Sequence, residues 1–212
     1  MPHDTTTNYG VAEGGARVTL DGTKTILLVG VGGQGTILAG QLLAMVAADA
    51  GLDVKVSEIH GMSQRGGSVS TIVRVGEKVE SMIADPGCAD IVVAFESIEA
   101  LRAQQFVREG GSLFVNDEQI TPVPVNIGIC KMPEGVQERL AEINARVIDA
   151  GGIARAVGSP RSTNVVLVGA LSTALPFEVA EWEDAIRRRV PPATVEANLA
   201  AFARGREAVL GE

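Results

Sequence analysis

Aromatic side chains are scarce in this sequence: five Phe, one Trp and one Tyr among 212 residues. Apolar residues still make up 46% of it. The core must therefore be aliphatic, built from Val, Ile, Leu and Ala, the usual filling of a parallel sheet covered by helices. Cysteine is nearly absent. Cys88 and Cys130 stand far apart with no C-x-x-C pair, so the chain cannot by itself hold an iron–sulfur cluster or a structural zinc. Two small, reduced core residues of a cytosolic protein are the expectation instead. Histidine occurs twice. There is no metal-spaced His pair, no G-x-S-x-G and no Ser/His/Asp set, so no nucleophile–base constellation is present. Positive charge is in deficit: 18 Lys and Arg against 26 Asp and Glu give a net charge of −8. That balance argues against nucleic acid or an anionic membrane as a partner. No apolar run reaches the roughly 18 residues of a membrane span. No basic segment followed by an apolar one opens the chain as a signal peptide would. A cytoplasmic location is expected.

Glycine, by contrast, is abundant and locally concentrated. The stretch Gly30-Val31-Gly32-Gly33-Gln34-Gly35 follows an apolar run, Ile26-Leu27-Leu28-Val29, and precedes a segment apolar at helical spacing. The glycines thus sit where a buried strand turns into a helix. Glycine permits positive φ and close approach of another group, and the helix aims unpaired N–H groups and its positive end at the turn. A phosphate or pyrophosphate fits such a place. Gly30, Gly32 and Gly35 satisfy G-x-G-x-x-G, the dinucleotide fingerprint. The same pattern also serves a tight strand–helix turn that binds nothing. A dinucleotide site wants an acid at the end of the second strand to hold a ribose, and Glu58 lies near that distance. This keeps a stand-alone nicotinamide- or flavin-binding Rossmann oxidoreductase open as an alternative. A binding or regulatory module is another.

Hydrophobic periodicity predicts the elements in order. Residues 1–23 are polar and without periodicity, a disordered leader. Strands are expected at 25–31, 52–59, 68–75 and 89–96, with 79–83 as a short strand or extended segment. A helix over 34–50 follows the glycine turn. Another over 97–109 is capped by Ser97 and ends at Gly110-Gly111. Further strands are expected at 112–116, 123–129 and 153–157, and helices at 135–149, 164–174, 181–189 and 191–207. Gly169, Ala170 and Ser172 suit the helix over 164–174 to close packing. Strands alternating with helices imply an α/β fold: a Rossmann-like, mostly parallel sheet with helices on both faces, the C-terminal helices packed on it or projecting from it. Residues 24–212 are expected to form a single domain. Arg187, Arg188 and Arg189 near a helix end complement its dipole rather than bind nucleic acid.

A second glycine-rich loop, His60-Gly61-Met62-Ser63-Gln64-Arg65-Gly66-Gly67, follows the second strand. Ligands bind at the carboxyl ends of strands in such sheets, so both loops belong on one edge. Arg65 offers five donors in a planar fork to a phosphate, carboxylate or carbonyl, and Ser63 and Gln64 add neutral hydrogen bonds. An exposed turn with an incidental Arg is the plainer alternative. His60 could carry a proton, although a hydrogen-bonded structural residue is the plainer reading of it too.

Taken together, the turn at 30–35, the run Ser57-Glu58-Ile59-His60-Gly61-Met62-Ser63-Gln64-Arg65-Gly66-Gly67-Ser68 and the strand from Asp90 to Glu96 resemble the gamma subunit or gamma domain of the 2-oxoacid:ferredoxin oxidoreductases. The beta subunit of indolepyruvate ferredoxin oxidoreductase is the branch most resembled. The resemblance covers about residues 24–205. It implies an enzyme that oxidatively decarboxylates a 2-oxo acid with thiamine diphosphate and coenzyme A and passes electrons to ferredoxin through iron–sulfur clusters. No Gly-Asp-Gly segment followed by the Asn of a thiamine diphosphate–magnesium site is seen here. Thiamine diphosphate, Mg and the clusters are thus expected on a larger partner subunit. By the same resemblance Gly30, Gly32, Gly33, Gln34 and Gly35 would line an edge for coenzyme A. Ser63, Gln64 and Arg65 would reach toward the cofactor cleft. Arg65 and His60 are the candidate active-site contacts; no metal ligand is expected on this chain.

Overall fold

The computed structural model describes residues 18–60 and 66–211, with the backbone alone for His60, Val123 and Pro124. Six strands, β1 (Lys24–Val31), β2 (Asp53–His60), β3 (Ser68–Gly76), β4 (Ala89–Ala94), β5 (Val107–Asn116) and β6 (Arg146–Ile148), form one sheet in the order β2-β3-β1-β4-β5-β6. Neighbours β1, β4, β5 and β6 are parallel. β3 is antiparallel to both β1 and β2, so β2 points the same way as β1 and β3 alone is reversed. The helices are α1 (Thr36–Asp49), α2 (Ser97–Ala103), α3 (Val123–Asn126), α4 (Val136–Glu142), α5 (Ala150–Ala156), α6 (Thr163–Ser172), α7 (Val179–Arg189) and α8 (Val195–Leu210).

Strand alternation sends Ile26, Leu28, Val93 and Phe114 to one face, where residues of α1, α5, α6, α7 and α8 cover them. Leu27, Val29, Val92 and Val115 face the other way, under α2 and α4. The expected α/β architecture with helices on both faces is the one observed, and the C-terminal helices are packed on the sheet. α6 is buried from Asn164 to Ser172 and crosses α8 at a glycine pair: a Cβ on Gly169 would strike the Phe202 carbonyl, and one on Gly205 the Val166 carbonyl. Arg187, Arg188 and Arg189 form the last turn of α7. Arg188 pairs with Asp49 of α1 and, at 2.8 Å, with Asp184, while Arg189 donates to Gln41 at 3.0 Å. This run fastens α7 to α1. Of the stretch 1–23, residues 18–23 are described, and Val18 and Leu20 pack on the core.

Several elements depart from the expectations. Glu96, not Ser97, caps α2, its carboxylate accepting from Glu99 N at 2.8 Å. That helix stops at Ala103, and after one 3-10 turn β5 begins at Val107. Gly110 and Gly111 lie inside this strand because it bulges: Ala89 pairs with Val107, but Ile91 pairs with Ser112. The segment 79–83 forms no strand. It is held by side chains instead, Asp53 accepting from Val79 N at 2.7 Å and Arg74 donating to Ser81 O at 2.8 Å. The expected strand 123–129 begins instead with the helical turn α3, Val125 N and Asn126 N both bonding Pro122 O. The helix expected over 135–149 is α4 and then β6, separated by Asn144 in the left-handed region at φ 52°. Residues 153–156 belong to α5 and Val157 caps its end, so no strand forms there. Asp149 caps that helix through Gly152 N at 2.7 Å, and its carboxylate fills the space a Cβ on Gly152 would need. Cys88 is half-buried and Cys130 exposed, so the pair are not both core residues.

Candidate functional site

All strands but β3 end on one rim, and β3 begins there. The turn at 30–35 leaves β1 on this rim. Gly35 holds φ at 87° and caps α1 with no side chain; no acidic residue occupies the first turn of that helix. Its first N–H groups therefore have neither an intrahelical acceptor nor a local carboxylate. At Gly30 a Cβ would meet Gln34 Oε1 at 2.8 Å and Phe95 Cβ at 2.9 Å, so the turn is closed on itself and against the end of β4.

The second glycine loop meets the first. Val31 pairs with Ser68, and Gly32 N donates to Gly67 O at 2.9 Å. The described ends of the two loops thus share the rim. Backbone pairing sets His60 opposite Val69 at the end of β2. Ser63, Gln64 and Arg65 lie outside the described residues.

Gln34 is folded back into the protein. Its Oε1 accepts from Val31 N at 2.7 Å, and its Nε2 donates to Phe95 O at 3.0 Å and Glu118 Oε2 at 3.1 Å. Asn116 Nδ2 donates to the same two oxygens, at 3.2 and 3.1 Å, while its Oδ1 accepts from Ala150 N at 3.2 Å. One polar network thus fixes the ends of β1, β4 and β5 and the start of α5. Glu96 is only 1% exposed. It accepts from Glu99 N and Ile120 N, and burial pushes its carboxyl above the usual range. Glu99 bonds Arg102 at 2.9 Å and Ser68 at 2.6 Å, tying α2 to the start of β3.

Two cavities flank the glycine turn. The larger, about 460 Å³, lies between Gly33 and Gly35 on one side and Arg161, Thr163 and Asn164 at the start of α6 on the other, with Glu118 at its edge. α1 leaves β1 toward one face and α2 leaves β4 toward the other, so this crevice opens where the winding reverses, the position at which such sheets bind ligands. Arg161 is exposed and makes no ion pair among the described residues. The smaller cavity, about 370 Å³, lies on the far side of the turn and includes Thr36, Glu58 and Thr71. Ile37 and Ile59 border it and are half-exposed or more, at 50% and 59%. The arrangement can hold an extended anion along backbone N–H groups. Among the described residues no group of three His, Cys, Asp or Glu side chains is placed to hold a metal ion.

Residues 25–208 match the family described as pyruvate ferredoxin/flavodoxin oxidoreductase. The chain belongs to this family. Within the pyruvate ferredoxin/flavodoxin oxidoreductase family it is similar to the indolepyruvate oxidoreductase subunit IorB of Thermococcus kodakarensis, 40% identical over 187 residues that cover 85% of this chain and 93% of that protein. Its fold is similar to the keto/oxoacid ferredoxin oxidoreductase gamma subunit of Geobacter sulfurreducens PCA, with TM-score 0.65, 27% identity and coverage of 89% of this chain and 99% of that one. It shares the fold of part of the 2-oxoglutarate:ferredoxin oxidoreductase of Magnetococcus marinus, solved with 2-oxoglutarate, coenzyme A and succinyl-CoA bound, at TM-score 0.68 and 22% identity over 90% of this chain and 31% of that one. These relatives are oxidoreductases or subunits of them, and this family member is an oxidoreductase subunit.

Sequence reasoning missed Arg161, Thr163, Asn164, Asn116 and Glu118. The available signal was a polar residue closing an apolar strand, Asn116, and a polar cluster, Ser162-Thr163-Asn164, opening an apolar helix.

Proposed function

We propose that this chain is the small, non-redox subunit of a 2-oxoacid:ferredoxin oxidoreductase acting on indolepyruvate or a similar aryl pyruvate in the cytoplasm. Its rim binds the pyrophosphate of coenzyme A and closes a reaction centre housed mainly in a larger subunit. The observation that carries this reading is the joining of two glycine loops on one rim, beside an uncapped helix start and a cation, Arg161. That donor set fits a pyrophosphate. It fits neither thiamine diphosphate with its magnesium nor a cluster, for which this chain has two isolated cysteines. Thiamine diphosphate supplies the carbanion chemistry and the clusters the electron path to ferredoxin, both from the partner. The backbones of Gly32, Gly33 and Gly35 line the anion's path, with Gly30 and Gln34 holding the turn in shape. Ser63, Gln64, Arg65 and His60 extend the rim toward the partner's cofactor. Residues 24–212 act as one domain in this role.

The test is reconstitution. The chain alone is expected to give no 2-oxo-acid-dependent reduction of ferredoxin, and adding the large subunit to restore it. In the complex, Arg161→Gln is expected to raise KM for coenzyme A about tenfold, the worth of one charge-assisted hydrogen bond, with KM for the 2-oxo acid unchanged. Turnover by the isolated chain would overturn the assignment.

A further inference from the structure

At the opposite end of the strands lies a recess of about 380 Å³. The helix layer stops short there. α6 ends at Ser172, and the chain turns through 173–178 before α7 begins. The starts of β1, β4, β5 and β6 are left uncovered at this corner. Lys24, Ser112 and Arg146 each stand two residues before a core residue of the helix-rich face, Ile26, Phe114 and Ile148, so strand geometry turns all three toward the recess. Arg108 enters from the bulge of β5.

Three cations, Lys24, Arg108 and Arg146, therefore line a recess that holds one carboxylate, Asp90. This inverts the charge balance of a chain that is −8 overall. Asp90 is already engaged. Its Oδ2 accepts from Thr25 N at 2.8 Å, and its Oδ1 faces Arg108 Nε at 2.8 Å and Lys24 Nζ at 3.6 Å. The half charge at the carboxyl end of α6 still leaves the recess positive. The Arg146 guanidinium lies 5.7 Å from the centre of the Phe114 ring, a distance at which the ring face attracts and orients it. It makes no ion pair or hydrogen bond among the described residues. A planar fork is thus oriented by the ring while no described residue engages its donors.

We propose that this recess is a second anion site, taking a small phosphate-bearing molecule. A guanidinium grips two phosphate oxygens at once, and an ammonium adds a compact charge. Ile91 and Leu175 on the wall accommodate a short apolar body attached to the phosphate. The site is independent of the rim, at the other end of the strands. α6 runs between them: Asn164 at its start borders the crevice, and Thr173, just past its end, borders the recess.

The test is a titration of the full chain with inorganic phosphate, followed through its backbone amide NMR signals. Saturable shifts are expected at Gly110 and Ser112. Arg146→Gln should weaken them about tenfold or more, and Arg161→Gln should leave them unchanged. Emission of the single Trp, buried between Phe177 and Phe202, reports that the variant is folded. If Arg146→Gln alters that emission, Arg108→Gln takes its place. Shifts confined to Gly33 and Gly35, no saturable shift at all, or shifts undiminished in a folded variant would overturn the proposal.

Discussion

Asn164 Nδ2 stands 2.5 Å from where a Cβ on Gly35 would be, and the backbone there is left-handed at φ 87°. Gly35→Ala therefore combines a left-handed penalty of about 1–2 kcal/mol with a steric conflict. A loss of roughly 2–4 kcal/mol in denaturant unfolding is expected, and a variant as stable as the parent would show that the turn relaxes freely. Glu96 allows a prediction with a sign. Its folded-state carboxyl is raised by burial, so the native state holds the proton more tightly than the unfolded chain. Its contribution to stability is complete below the unfolded value of about 4.3 and is lost as pH rises through the folded value. Melts of the parent and Glu96→Gln across this window should show the parent losing stability relative to the variant as pH rises. A difference independent of pH would remove Glu96 as the titrating group. The glycine turn was legible in the sequence because its spacing is local. Arg161 was not, because only the order of strands and helices brings it beside residues more than a hundred positions earlier.

Helix α6 owes its place to two missing side chains. Gly169 and Gly205 let its backbone touch that of α8, and its N-terminal residues Thr163 and Asn164 form one wall of the crevice. Alanine is intrinsically the better helix former by about 1 kcal/mol. Here a Cβ on Gly205 would run into the Val166 carbonyl, backbone that cannot turn aside. Gly205→Ala is thus expected to destabilise the fold by roughly 1–3 kcal/mol, read as a lower midpoint in urea; a rise would mean that propensity outweighs packing. The close-packing role of this helix was readable from Gly169, Ala170 and Ser172. β5 and α5 were misread for one reason. Gly110-Gly111 and Gly151-Gly152 signal a break in a local reading, whereas here one pair sits in a strand bulge and the other in the first turn of a capped helix. A partner strand decides the first conformation, beyond the reach of any short window; the second is set by Asp149, a cap only three residues before Gly152 that the glycine pair overrides in a local reading.

The sheet order separates the two readings that the glycine fingerprint alone left open. In a dinucleotide domain the strand beside β1 is parallel and ends in the acid that holds the ribose. Here that neighbour is the antiparallel β3, and β2 with Glu58 lies one strand further out. At about 4.8 Å per strand this carries Glu58 to roughly 10 Å from β1, twice the usual separation. The turn that would receive the pyrophosphate is intact, but the ribose acid is displaced sideways. An anion anchored at the turn can instead run along the crevice between β1 and β4, where Arg161 provides a cation. NADH added to the chain is therefore expected to show no saturable change in its own fluorescence, with Glu58→Ala indistinguishable from the parent. Coenzyme A is expected to protect the amides of Gly33 and Gly35 from hydrogen exchange in the assembled complex. Tight NADH binding that disappears in Glu58→Ala would mean that the smaller cavity, not the crevice, is the nucleotide site. The reversed strand would then have widened a dinucleotide fold without changing its ligand.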